Sequence, residues 1–193
     1  MKLKCFIFAL FLSLGFFSQQ ATAQDASPRR EVGIQVNAIN FNGNNAFSAF
    51  FKKEVKENVY RRFRVFYGNF GADFILNSAT YNGSAGIAIG TEKRKALDSK
   101  LVFYQGPELS ASFGITHVNL SSMNTTDFSR YTANARLGWV VGLQHSFNER
   151  WAINLETIPG IGFGLSGETN SDPDFQTNIG FNSNVSIGFV RKF

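Results

Sequence analysis

Two-residue alternation is the feature of this sequence that most restricts its fold. From Trp151 to Gly167 an apolar side chain falls at nearly every second position, and the residues between are mostly small or polar. Strands with one apolar face have this period because successive side chains point to opposite sides of the sheet. The same alternation occupies Leu101 to Ile115, Tyr131 to Phe147 and Ile179 to Phe193. These four segments are predicted to be long β-strands.

Shorter alternating segments in the N-terminal half predict four more strands. They are Val32 to Phe41, Ala46 to Val55, Tyr60 to Phe74 and Ser84 to Arg94. In the third, the apolar phase changes between Phe63 and Phe70, which predicts a β-bulge near Gly68 or Gly71, where glycine commonly sits. The chain is therefore predicted to contain eight strands.

The predicted connections alternate in character along the chain. Three are short, namely Lys56 to Asn58, Ala96 to Ser99 and Asn148 to Arg150. Three are longer and rich in Asn, Ser and Thr, namely Leu76 to Gly83, Thr116 to Ser129 and Gly167 to Phe175, while Asn42 to Asn45 is tight. An even number of strands with short turns at one rim and longer loops at the other is typical of a bacterial outer-membrane barrel.

The composition of the polar face predicts which side of the barrel meets lipid. In the last three strands that face is mostly Gly, Asn, Ser and Thr, and Arg136, Glu156 and Lys192 are its charges. Small residues suit the lumen of an eight-stranded barrel, which is just wide enough to be filled by side chains. The fold class predicted is all-β: an eight-stranded antiparallel transmembrane β-barrel, an up-and-down meander preceded by a signal peptide. A water-soluble barrel with an apolar interior is the alternative.

Aromatic residues fall towards both ends of the apolar face, as in the aromatic girdles of membrane proteins. Those at the short-turn end are Phe51, Phe147, Trp151 and Phe193, and those at the other end are Phe47, Tyr131 and Phe163.

The first 23 residues predict a cleaved signal peptide. Lys2 and Lys4 precede an apolar run from Cys5 to Phe17, and Ala21 to Ala23 form a small-residue cleavage site. The apolar run is too short to span a bilayer as a helix, which needs about 20 residues. The predicted organisation is residues 1–23 as signal peptide, 24–30 as a short periplasmic segment and 31–193 as the barrel.

Composition excludes several classes of function. Cys5 is the one cysteine of the chain, so the exported protein would have neither a disulfide nor a thiolate metal site. The net charge of +5 is not gathered on a helix or on a stripe with stacking aromatics, which argues against nucleic-acid binding. No cofactor, no metal and no catalytic residue is predicted.

Two apparent catalytic or cofactor motifs have simpler interpretations. The segment Gly162 to Gly167 matches a dinucleotide fingerprint, but Glu168 to Pro173 opens no helix, so these residues are interpreted as lumen glycines that relieve crowding. His145 and Ser146 are adjacent on a strand and point to opposite faces, so they form no base–nucleophile pair. A catalytic role for His117, His145 or Ser146 would therefore need partners that only the fold brings together.

Charged residues on the lumen face predict an internal network. A charge in a narrow lumen is costly unless it is paired, so these side chains are expected to form a plug of ion pairs. Arg94 is expected on the same lumen face as these charged residues. The alternative is a gated pathway for small solutes, lined by the same residues. The network is predicted to consist of Arg62, Arg64, Glu92, Glu108, Arg136 and Glu156.

Basic residues also gather near the short-turn rim. Two interpretations stay open, contact with anionic headgroups on the periplasmic side or simple solvation. The residues are Lys52, Lys53, Lys56, Arg61, Lys93, Lys95, Lys100, Arg191 and Lys192.

The C-terminal segment Ser186 to Phe193 has a polar residue, a glycine two positions later and alternating apolar residues that end in Phe. In this the chain resembles the small eight-stranded outer-membrane barrels of the OmpA and OmpX type, although Arg191 stands where that family usually has an apolar residue. Phe47 to Lys53 and Tyr60 to Arg64 are also similar to small barrels of unassigned function. The resemblance implies that Ser186, Gly188 and Phe193 form the signal read by the barrel-assembly machinery.

The expected location is therefore the cell outer membrane, with outer-membrane lipids and the barrel-assembly machinery as partners. The leading functional hypothesis is a non-enzymatic structural or surface-interaction protein with a plugged lumen, whose extracellular loops reach a partner. A narrow porin-like channel for small solutes is one alternative. An outer-membrane lipid-modifying enzyme that uses His117 or His145 is another.

Overall fold

The structure is a computed structural model that describes residues 29–39, 47–75, 78–120, 128–169, 176–182 and 185–193. The predicted signal peptide, most of the predicted segment 24–30 and the predicted turn Asn42 to Asn45 lie outside these residues. No helix in the described ranges is long and apolar enough to cross a membrane.

The described residues form ten strand segments. They are β1 (Arg30–Ile39), β2 (Phe47–Lys56), β3 (Val59–Ile75), β4 (Ser78–Ala96), β5 (Leu101–Leu120), β6 (Phe128–Ser146), β7 (Trp151–Thr157), β8 (Gly160–Glu168), β9 (Gln176–Asn182) and β10 (Val185–Lys192).

The segments close into an antiparallel ring of eight strands. Segments β1 to β6 pair with their neighbours in chain order, and β6 then pairs with both β7 and β8, which are two parts of one strand separated at Ile158 and Pro159. Segment β9 pairs with β8, and β10 pairs with β7 and with β1. The last strand therefore closes on the first. In the described residues β1 is paired on both sides, with β2 and with β10, so the ring has no free edge at this point, and a free edge would not be tolerated in lipid.

The bulge predicted in the third strand is confirmed. Gly68 lies opposite Ser84 and Gly71 lies opposite Asn82, so two residues of β3 face one residue of β4. The extra residue explains why the apolar phase of this strand changes along the sequence.

Strands β3 to β6 extend beyond their predicted ends. Ser78 to Gly83 and Thr116 to Leu120 were expected in loops, but they belong to β4 and β5 and pair with each other. Sequence alternation indicates only strands with one apolar face. These residues carry polar side chains such as Asn82 and Asn119, so the ladder continues where the apolar pattern stops.

The apolar face of the barrel points outward, as predicted. Leu155 and Trp139 are 47% and 49% exposed, whereas Asn154 and Glu156 are each 1% exposed. A water-soluble barrel would have the opposite arrangement.

Aromatic pairs mark both ends of this outer surface. At the end with the short turns, here called the lower end, the Trp151 and Phe189 rings stack with their centroids 5.0 Å apart. Towards the opposite, upper end, Phe113 stacks on Tyr131 at 6.2 Å. This is the arrangement of a membrane barrel with an apolar band between two aromatic girdles.

Candidate functional site

The lower half of the lumen contains eight charged side chains joined in one network. Four are basic and four are acidic, so the network is electrically balanced. Its members are Lys52, Arg62, Arg64, Arg94, Glu31, Glu92, Glu108 and Glu156.

Arg62 lies at the centre of the lumen network and contacts three carboxylates. Its two terminal nitrogens donate to Glu156 at 2.8 and 2.9 Å, and Nε lies 2.9 Å from Glu108. Nη1 also lies 3.4 Å from Glu92. The planar guanidinium has five donors in a fixed fork, so one arginine can serve several acids around the ring. Arg62 therefore ties β3 to β4, β5 and β7.

Arg94 joins the lower part of the network to the first strand. Its guanidinium donates to both oxygens of Glu31, at 2.7 and 2.8 Å, and Nη2 lies 2.6 Å from Glu92. The same group lies 3.6 Å from the centroid of the Tyr60 ring. Gln144 donates a further hydrogen bond to Glu31 at 3.1 Å. Glu31 and Arg94, near the lower mouth of the lumen, are thus each in contact with more than one partner.

The position of Lys52 corrects the sequence-based assignment. Lys52 was placed with the basic residues at the rim, but its side chain is fully buried in the lumen, and Nζ lies 2.9 Å from Glu92. The ammonium group also lies 4.3 Å from the centroid of Tyr104. Lys52 follows the parity of Phe50, which is buried on the same face of β2. Lys192, of the same predicted group, is half-buried and donates to Ser146 Oγ at 2.5 Å.

Two further arginines of the predicted network lie at its upper edge. Arg64 Nη2 lies 2.5 Å from Glu108, and the Arg64 side chain is 15% exposed. Arg136 donates from its guanidinium to the carbonyl oxygen of Ile158. The structure thus brings Arg62, Arg64, Glu92, Glu108 and Glu156 together and places Arg136 at the Ile158 carbonyl.

Neutral side chains complete the network. Tyr104 donates its hydroxyl hydrogen to Glu156 at 3.0 Å, and its oxygen accepts from Asn154 Nδ2 at 3.1 Å. Sequence reasoning missed Tyr104 as a partner, together with Glu31 and Lys52. The available signal was strand parity, because each of them lies two residues from another lumen position.

Glycines on neighbouring strands make room for the large side chains of the lower lumen. Gly142 lies directly opposite Tyr104, and a Cβ at Gly142 would overlap the Tyr104 ring. Gly33 relates in the same way to Phe50. Large side chains and glycines therefore interdigitate across this part of the lumen.

The upper half of the lumen is lined differently. Its described wall carries small neutral residues, including Ser84, Ser112, Thr132, Asn134 and Ser166.

Gly162 and Gly164 of the apparent dinucleotide motif lie in β8 on this upper wall, whereas Gly167 has the outward parity of Leu165. A Cβ at Gly164 would come within 2.6 Å of Asn134 Oδ1, which agrees with relief of crowding. At Gly162 the nearest atom would be 3.6 Å away, and at Gly167 no atom lies within 4 Å. The crowding interpretation is therefore wrong for Gly162 and Gly167.

The two histidines lie at opposite ends of the barrel. His117 Nδ1 lies 2.9 Å from Ser129 Oγ near the upper end, and its ring stacks on Tyr81. His145 lies near the lower end and meets Phe147 edge to face at 5.7 Å. No group of three metal-ligating side chains occurs among the described residues.

The residues of the predicted assembly signal lie in and beside β10. Ser186 Oγ accepts a hydrogen bond from Gln35 at 2.7 Å and donates to the carbonyl oxygen of Glu156 at 3.2 Å. Phe193 is about half-exposed and its backbone pairs with Arg30.

Comparison with solved structures identifies the fold. A major outer-membrane protein from Thermus thermophilus superposes with a TM-score of 0.59 at 9% sequence identity. The superposition covers 86% of this chain and 100% of that chain. Ail, the attachment invasion locus protein of Yersinia pestis, gives a TM-score of 0.52 at 12% identity, covering 86% of this chain and 99% of Ail. The predicted likeness to the OmpA and OmpX type of barrel is thus confirmed at the level of the fold. No protein-family profile matches the sequence, and no curated protein matches it.

Proposed function

We propose that this chain is a non-enzymatic outer-membrane protein whose barrel is closed by its own lumen network. In this proposal the barrel is a rigid scaffold that presents its upper end to partners outside the cell. The observation that carries the proposal is the burial of a balanced set of charges across the lower lumen.

The burial of these charges favours a plug over a pore. The side chains of Lys52, Arg62, Glu92 and Glu156 are all 0% exposed. Charges that line a conducting path would meet water. Removing charges from water is costly unless each is paired with good geometry, and here each carboxylate has a basic partner within 2.9 Å.

The outer surface supports placement in a membrane. Large apolar side chains such as Leu137, Ile161 and Phe163 point outward and are strongly exposed. A contiguous apolar surface of this kind is rare on a monomeric soluble protein. The similarity to two outer-membrane proteins favours the outer membrane in particular.

The height of one wall supports a role at the cell surface. Strand β5 has 20 residues and β2 has 10. At about 3.3 Å per residue and the usual tilt, β5 reaches about 50 Å along the barrel axis, roughly twice the 25 Å apolar band of such proteins. The wall therefore extends beyond the membrane at the upper end.

Sulfated sugars are not part of this proposal. Ail has been solved in complex with the heparin analogue sucrose octasulfate. In this chain the arginine described at the upper rim, Arg130, is paired with Glu168. Binding of a polyanion would require unpaired basic groups.

Conductance of the refolded protein in planar bilayers tests the plug. We expect the wild-type chain to be silent and Arg62→Ser/Glu156→Ser to conduct, because the double variant removes the centre of the network. Ser84→Gly/Ser112→Gly, in the upper lumen, is the matched control and should be silent. A steady wild-type conductance that changes in Glu108→Gln would overturn the plug and favour the narrow channel.

Lipid analysis tests the absence of enzymatic activity. We expect envelope lipids to have the same acylation with the wild-type chain, with His117→Ala and with His145→Ala. A change in acylation that requires either histidine would favour the lipid-modifying enzyme.

Ser186, Gly188 and Phe193 are proposed to be the assembly signal. We expect Phe193→Ser to lower the amount of folded barrel in cells, measured by heat-dependent gel mobility, without lowering the refolding yield in detergent. Equal loss in both measurements would indicate a structural role instead.

A further inference from the structure

Four basic residues form a patch on the outer surface of β2, β3 and β4, near the lower end. The basic patch consists of Lys53, Arg61, Lys93 and Lys95, all of them exposed. Each is adjacent in sequence to a lumen residue, for example Lys53 to Lys52 and Arg61 to Arg62. Because alternate side chains of a strand point to opposite faces, the patch lies outside the barrel, behind the lumen network.

The strand register places like charges side by side in the basic patch. Lys53 lies directly opposite Arg61. Arg61 in turn lies opposite Thr91, and Lys93 lies two residues beyond Thr91 on β4. Like charges directly opposite each other across antiparallel strands are destabilising.

The neighbouring side chains do not neutralise the patch. Among the ion pairs of the described residues, none includes a member of the basic patch. The nearest acid on β2, Glu54, follows the lumen parity and accepts a hydrogen bond from the Asn58 backbone at 3.2 Å. Glu57 lies in the turn that joins β2 to β3. The patch therefore keeps its positive charge on the outer surface of the barrel.

The basic patch lies at the edge of the apolar surface. Phe51 and Phe63 are opposite each other, two residues from Lys53 and Arg61 towards the middle of the barrel, and both are strongly exposed. Below the patch the hairpin ends at Glu57 and Asn58. In a membrane barrel this depth, between the outward phenylalanines and the periplasmic turn, is where lipid headgroups lie.

We propose that the basic patch binds the phosphate of an anionic phospholipid in the periplasmic leaflet. The lipid phosphate would contact both the Lys53 ammonium group and the Arg61 guanidinium. The acyl chains would pack against Phe51 and Phe63. This inference rests on the membrane placement proposed above.

Native mass spectrometry after reconstitution in vesicles of equal phosphatidylcholine and phosphatidylglycerol tests this proposal. The wild-type barrel should retain phosphatidylglycerol in preference to phosphatidylcholine. In Lys53→Gln/Arg61→Gln we expect the preference to fall about fivefold for each charge removed. The control Lys100→Gln/Arg150→Gln removes the same two charges from exposed turns at the same end and should keep the preference.

Charge reversal separates lipid binding from folding. Arg61→Glu puts opposite charges across the strand pair, so its melting temperature in uncharged detergent should equal or exceed that of the wild type. Its preference for phosphatidylglycerol should nevertheless be lost. Loss of folding in this variant would contradict the repulsion argument.

Two further outcomes decide between the proposals. Equal retention of both lipids by the wild type, or an equal fall in the turn control, would overturn the lipid site and leave the membrane placement intact. Failure of the wild type to insert into vesicles of phosphatidylcholine alone would overturn the membrane placement itself.

Discussion

The two halves of the lumen share one set of strands but are filled in different ways. The lower half contains paired charges and large side chains such as Tyr104, each with a glycine or a partner opposite. The upper half is lined mainly by serine, threonine, asparagine and glycine, with Phe66 packed against Gly86 near its lower border, and Gly162 lies there without close contacts. The buried ion pairs are therefore concentrated in the lower half. Stability should depend on the lower lumen far more than on the upper.

The largest expected effect is at the centre of the network. Arg62→Met leaves Glu92, Glu108 and Glu156 with too few basic partners, and an uncompensated buried charge costs about 3–5 kcal/mol. Urea unfolding in lipid vesicles, followed by the fluorescence of Trp139 and Trp151, measures the loss. Ser112→Ala in the upper lumen should stay within about 0.5 kcal/mol. Equal losses in the two variants would remove the distinction between the halves.

An intermediate effect is expected from glycine substitutions. Gly142→Ala places a methyl group in the space of the Tyr104 ring, and overpacking of this kind costs about 1–3 kcal/mol. Gly162→Ala adds the same methyl group where the nearest atom is 3.6 Å away and should be nearly neutral. The difference between these two free energies of unfolding measures the difference in packing density. Similar values would mean that the lower lumen adapts as easily as the upper.

The smallest expected effect lies at the upper rim. Arg130 and Glu168 form an ion pair whose side chains are 55% and 35% exposed. Exposed pairs contribute about 0.2–1 kcal/mol, and salt screens them. Arg130→Gln should therefore lower the free energy of unfolding by less than about 1 kcal/mol, and by still less in high salt. A loss comparable to that of Arg62→Met would show that the rim is structurally critical.

Strand parity carried most of the sequence-based prediction. The outward direction of the apolar face was predicted from the composition of the polar face, whereas strand parity gave the eight strands and the bulge between Gly68 and Gly71, because both depend on local alternation. It also selected lumen charges such as Glu108 and Glu156. These features are encoded within single strands, so one sequence suffices to predict them.

The features that were missed depend on how strands meet. Lys52 was assigned to the rim although its parity matches that of Phe50, because its position near a turn outweighed its face. Glu31 was not selected although its parity matches that of Gly33, and its partners Arg94 and Gln144, on distant strands, are visible only in the fold. The start of β4 was placed too late in the chain and the end of β5 too early, because the apolar alternation stops before the strands do. Register and partner choice are properties of the closed ring.

The pair formed by Arg62 and Glu156 has a consequence for how the protein enters a membrane. The two residues are 94 positions apart in the chain and meet only when the third and seventh strands are in place. Before that point the seventh strand would carry the Glu156 carboxylate into hydrocarbon without its arginine, which is strongly unfavourable. Insertion strand by strand is thus opposed by electrostatics. The hairpins should instead cross the bilayer together, while the strands pair and the barrel closes.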